Sequence, residues 1–165
     1  MLFKRAFLVS LFFVLAPLFF SCSSSDDEDD ENIDFSSCSL TGPNFSISDI
    51  SGNWVATQAN FDIPGTTLQV DIVADGGTVT LNVQSNGGFT LVITPNGSPS
   101  ETTTGDLAFC EGLFTVRYDD APNEPETLAG SLNNDVLTIT GPVEFDVDDD
   151  GSDDEAFVIL RFDRV

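Results

Sequence analysis

Apolar and polar residues alternate along most of the chain beyond residue 67. Leu68, Val70 and Ile72 form one such set, followed by Val79, Leu81 and Val83, then Phe89, Leu91 and Ile93. Farther on come Phe114, Val116 and Tyr118, then Leu137 and Ile139, then Val143, Phe145 and Val147. Ala156, Val158, Leu160 and Phe162 complete the series. A period of two in segments rich in Thr, Val, Ile and Phe predicts antiparallel strands with one face on a core. No window of a dozen residues carries apolar positions at helical spacing, and residues 45–50 suit one short turn at most. Between the sets stand turn formers. Asp75-Gly76-Gly77 joins the first set to the second, Ser85-Asn86-Gly87-Gly88 the second to the third, and Asn133-Asn134-Asp135 precedes Leu137. Eight or nine consecutive hairpin-linked strands predict an all-β domain. Two architectures fit: an antiparallel up-and-down barrel of about eight strands, or an immunoglobulin-like β-sandwich.

The first 37 residues follow different rules. A short basic end with Lys4 and Arg5 leads into a fifteen-residue, largely apolar run, residues 6–20, interrupted by Pro17. A spanning helix needs about 20 apolar residues, so the run reads as the hydrophobic region of an export signal. Ser21-Cys22 follows at once, then Ser23-Ser24-Ser25 and six consecutive acids, residues 26–31. A small residue before a lone Cys at this place resembles the lipobox of bacterial lipoproteins, although Phe19 and Phe20 stand where Leu and a small residue are usual. The resemblance implies that Cys22 is acylated, palmitate among its chains, and becomes the new N-terminus. Ser25-Asp26-Asp27-Glu28 also resembles the export signal that carries Bacteroidota-type lipoproteins to the cell surface. The expected location is therefore the outer membrane, anchored by lipid and facing the cell exterior, with a periplasm-facing position as the alternative. The domain plan is a signal peptide over residues 1–21, an acidic disordered tether over 22–37, and a β domain over 38–165.

Charge removes whole classes of function. The chain carries 28 Asp and Glu against 5 Lys and Arg, for a net charge of −23. Such a surface repels a phosphate backbone, so no nucleic-acid partner is expected. Histidine is absent, which removes imidazole general bases, Ser-His-Asp and Cys-His arrangements, and His-bearing zinc sites. Carboxylates are abundant but cluster in loops and the tether, so the chain is not expected to be an enzyme. With Cys22 assigned to lipid, Cys38 and Cys110 remain. An even pair in an exported domain predicts one disulfide, and a monomer is expected.

The start of the first strand carries a further mark. Gly52-Asn53-Trp54 follows Ile47-Ser48-Asp49-Ile50-Ser51 and includes the one Trp of the chain. Beyond residue 22 the basic residues are Arg117, Arg161 and Arg164, the last two in the final strand. A Gly-x-Trp at a first strand, an Arg in the last strand, a meander and this length together resemble a lipocalin-like domain. In that family the indole closes one end of the barrel under an Arg side chain. Here the resemblance implies that role for Gly52, Trp54 and Arg164. Strand alternation favours Arg164 over Arg161, because Arg164 shares the face of Ala156, Val158, Leu160 and Phe162. A ligand would then enter at the opposite end, and Phe89, Leu91, Ile93, Phe114 and Val116 are the candidate lining.

Residues 145–155 form an acidic segment before the last strand, with seven acids in residues 146–155. Asp146, Asp148 and Asp150 at alternate positions, then Gly151, match the front half of a calcium loop, with Asp154 a candidate to close it. The twelfth position of an EF-hand loop would be Phe157, which carries no carboxylate. Calcium binding and a solvated hairpin both remain open, and no other cofactor is expected. The functional expectation is an exported, lipid-anchored lipocalin-like protein that binds a small apolar ligand. The alternative is a non-enzymatic structural or interaction domain of the envelope with a filled core.

Overall fold

The structure is a computed structural model that describes residues 33–145 and 154–165. A one-turn 3-10 segment, Phe35–Ser37, and a one-turn helix α1 (Ile47–Ile50) precede the strands. These are β1 (Gly52–Asp62), β2 (Gln69–Asp71), β3 (Thr78–Val83), β4 (Gly88–Thr94), β5 (Glu101–Cys110), β6 (Leu113–Tyr118), β7 (Glu126–Asn133), β8 (Val136–Phe145) and β9 (Asp154–Arg164). From β3 onward each strand pairs antiparallel with the next, β3 pairs with β1, and β9 returns to β1. Eight strands thus close into an up-and-down barrel, with β2 an extra strand on the far half of β1. The β1–β9 ladder, from Trp54↔Arg164 to Asp62↔Phe157, excludes the sandwich, whose sheets would keep free edges.

Turn chemistry accounts for the tightest connections. Asn134 and Asp135 both hold positive φ (48° and 63°) between β7 and β8, as do Glu111 and Gly112 (54° and 83°) between β5 and β6. Two such residues in succession match the right-handed twist of the paired strands. The hairpin expected around Asp75-Gly76-Gly77 does not form. β2 and β3 both pair with β1, on different stretches, because Asp71 accepts hydrogen bonds from the Val73 and Ala74 N–H groups at 3.1 Å and turns the chain away. The sets around Leu137 and Val143 belong to one strand, β8, whose ladder with β9 runs unbroken through Gly141 and Pro142.

Three strands escape the alternation rule; in β6, Phe114, Thr115 and Val116 are buried in succession. In β1 the pairing with β9 shifts between Ala56 and Gln58. The bulge moves the inward face from Trp54 and Ala56 to Ala59 and Phe61, all buried. In β5, Leu107, Ala108, Phe109 and Cys110 are buried in succession. Leu107 and Phe109 face the barrel interior, while Ala108 and Cys110 lie under the segment that precedes β1. Ser39 and Phe109 exchange both backbone hydrogen bonds (2.9 and 2.7 Å), and Cys38 is disulfide-bonded to Cys110. The Arg117 guanidinium sits over the Phe35 ring, 4.4 Å from its centre. Packed chain therefore begins ahead of Cys38.

Candidate binding cavity

The barrel has a closed end, where β1 starts and β9 finishes, and an open end where β1 finishes and β9 starts. Trp54 and Arg164 are paired across the β1–β9 ladder. Trp54 is 1% exposed, and its indole N–H donates to the Ile50 carbonyl at 2.8 Å. The Arg164 guanidinium lies over the indole, 4.2 Å from a ring centre. It also donates to the Ser51 carbonyl at 2.7 Å, to the Asp49 carbonyl, and to Asp135 Oδ1 at 3.1 Å. One side chain thus ties the end of β9 to carbonyls in and just after α1 and to the β7–β8 turn. Gly52 makes room for this: its φ is +129°, and a Cβ there would stand 3.2 Å from Arg164 Nη1. Arg161 is exposed on the outer face of β9. The Asp49 carboxylate accepts from the Ser46 N–H (2.8 Å) and hydroxyl (2.7 Å), which holds it below the usual carboxylate range.

Above the Trp54–Arg164 plug the closed end is filled by aromatic rings. Phe45 reaches in from the pre-barrel segment to Phe109 (5.1 Å between centres) and Phe114 (5.9 Å), and Phe109 meets Phe114 at 5.6 Å. Phe114 therefore belongs to this floor and not to the cavity lining for which the alternation in β6 makes it a candidate. The sequence cannot show that the segment carrying Phe45 folds into that end.

Toward the open end the interior is not filled. A cavity of about 530 Å³ lies there, with Phe89, Leu91, Ile93 and Val116 in its wall as the strand pattern suggests. Phe61, Leu81, Leu107, Ile139, Val158 and Leu160 add to the apolar wall. Phe61 is stacked on Phe145 with ring centres 4.0 Å apart. The mouth is acidic: Glu101, Asp120, Glu124, Glu126 and Glu144 all line it. Glu126 shares the inward face of β7 with buried Leu128, and its register partner is Val116. Its Oε2 accepts from the Tyr118 hydroxyl at 3.1 Å. Burial pushes the Glu126 carboxyl above its ordinary value, Glu144 adds to this, and the Tyr118 hydrogen bond works against it. Burial also raises the Tyr118 phenol, which stays protonated as the donor. These mouth acids were not among the candidates read from the pattern. The available signal was Glu126, an acid two residues before Leu128 on the same strand face.

Asp146, Asp148 and Asp150, the core of the calcium candidate, lie outside the described residues. Asp154 opens β9 opposite Phe145. Among the described residues no group of three or more His, Cys, Asp or Glu is arranged to hold a metal ion. A comparison of the chain with protein-family models, with curated proteins and with solved structures finds no match.

Proposed function

We propose that the protein is an exported, lipid-anchored binding protein whose barrel holds one small, largely apolar molecule. The observation that carries this reading is the cavity: about 530 Å³ in a barrel plugged at one end. A barrel serving only as a structural module would be packed to ordinary interior density. The volume falls within the roughly 300–1,000 Å³ of typical small-molecule sites, and the wall is mostly aliphatic and aromatic. Support for anchoring comes from the sequence alone, through Cys22 and the lipobox it resembles.

The test uses the mature chain from residue 22 with Cys22→Ser, which keeps every described residue and removes the lipid. N-phenyl-1-naphthylamine, a neutral apolar fluorophore, should bind saturably at one per chain. Leu91→Glu, which places a charge in the apolar wall, should abolish that binding while leaving the circular dichroism of the barrel unchanged. Failure of the fluorophore and of a panel of other neutral apolar probes would favour the structural domain.

A further inference from the structure

We propose that the cavity selects amphiphiles with a cationic head, an amine or a quaternary ammonium held at the mouth with the apolar body lodged below it. The inference rests on the binding function proposed above and specifies its ligand class.

Two separate features lead to it. The first is the disposition of charge. Five carboxylates line the mouth, and no Lys or Arg is among the residues that line the cavity. Each cation of the mature chain is committed elsewhere. Arg117 is ion-paired with Asp106 at 2.5 Å and lies over Phe35. Arg161 is exposed on the outer face of β9, and Arg164 serves the closed end. A carboxylate or phosphate head would thus meet like charge with no counter-charge in reach, whereas an ammonium would meet opposite charge. Glu126 sharpens this, because it faces inward and is half-buried, where an uncompensated charge is most costly. Its bond to Tyr118 uses only part of a carboxylate's accepting capacity.

The second feature is aromatic. Tyr118 lines the mouth beside Glu126, and the stacked pair Phe61–Phe145 lies in the same wall. Ring faces attract ammonium groups, most strongly where water is excluded. Acid and aromatic side chains together form a surface suited to an alkylated nitrogen and unsuited to the acid head of a fatty acid.

The experiment compares three probes that share a decyl chain, each below its micelle concentration: decyltrimethylammonium, decanol and decanoate. Each displaces N-phenyl-1-naphthylamine from the mature Cys22→Ser chain. The ammonium should bind at least about tenfold more tightly than decanol at low salt, with decanoate weakest. Sodium chloride should narrow the spread. Glu126→Gln and Glu101→Gln, separately, should each cut the ammonium preference severalfold and leave decanol affinity unchanged. Asp163→Asn, an exposed acid on the outer face of β9, should not change it; an equal loss there would reduce the effect to general attraction by an acidic protein and overturn the proposal. Equal affinity for all three probes would also overturn it while leaving the apolar cup intact. Displacement by none of them, with no binding of the fluorophore itself, would remove both.

Discussion

Trp54 links α1, β1 and β9 at the closed end. Its ring is buried, its N–H is bonded to α1, and one face is covered by Arg164. Trp54→Ala should destabilise the domain by about 3–5 kcal/mol, the range for truncating large core aromatics, measured by urea unfolding. Arg164→Ala should cost about 1–2 kcal/mol through the lost stack and carbonyl bonds, and Arg164→Lys should restore little of it, because an ammonium lacks the planar fork. In the double variant the Arg164 effect should shrink by the share owed to the stack, while the bonds to the Ser51 and Asp49 carbonyls keep the rest. Glu126 yields a pH prediction. Its carboxyl is raised above 4.5 in the folded state, so the folded protein holds that proton more tightly than the unfolded chain. The stability it contributes is full below the unfolded value and is lost as pH rises through the raised one. Glu126→Gln stays neutral throughout. The stability of the variant relative to wild type should therefore climb between pH 4 and pH 7, and a difference independent of pH would contradict the burial argument.

The element that sequence periodicity describes least well is the segment of residues 33–51. It covers the outer face of β5, supplies Phe45 to the closed end and carries the carbonyls that hold Arg164. The disulfide anchors it, linking Cys38 to Cys110 across 72 residues. Reduction should lower stability by about 4 kcal/mol in the chain-entropy account, seen as a fall in the urea midpoint. It should also speed amide exchange at Phe109, whose N–H donates to the Ser39 carbonyl of that segment, relative to Leu107, whose N–H donates to the Gly87 carbonyl. β5 and β7 left weak signals in the sequence for different reasons. The outer face of β5 is covered, so its last four residues lose the polar member of each pair. The inner face of β7 holds Glu126, Leu128, Gly130 and Leu132, so an acid and a glycine interrupt its leucines.

At the scale of the molecule the charge distribution separates two surfaces. The closed end holds Arg164 with Asp135 beside it, and the open end holds only carboxylates among its charged lining residues. Anchoring at residue 22 would add a third feature, a membrane attachment just ahead of the acidic run of residues 26–31. Cys22→Ser in the full chain should abolish incorporation of labelled palmitate. Labelling equal to wild type would defeat the lipoprotein reading.

The meander, the hairpin turns at residues 85–88 and 133–135, the disulfide pair and the inward parity of Phe89, Leu91, Ile93 and Val116 were all determined by the sequence. Each depends on local periodicity, on residues that tolerate positive φ, or on counting thiols. Periodicity alone left closure of β9 on β1 open; Gly52-Asn53-Trp54 and the last-strand Arg164 pointed to it through a resemblance, and the tertiary structure decided its register. Only the tertiary structure decided the bulge in β1, the pairing of β2 with β1, and the move of Phe114 from cavity wall to floor. The unfilled volume is the clearest case. Whether inward side chains meet depends on barrel diameter and on what enters from the ends, and Phe45 enters from one end only. Packing filled that end and left the acidic mouth open.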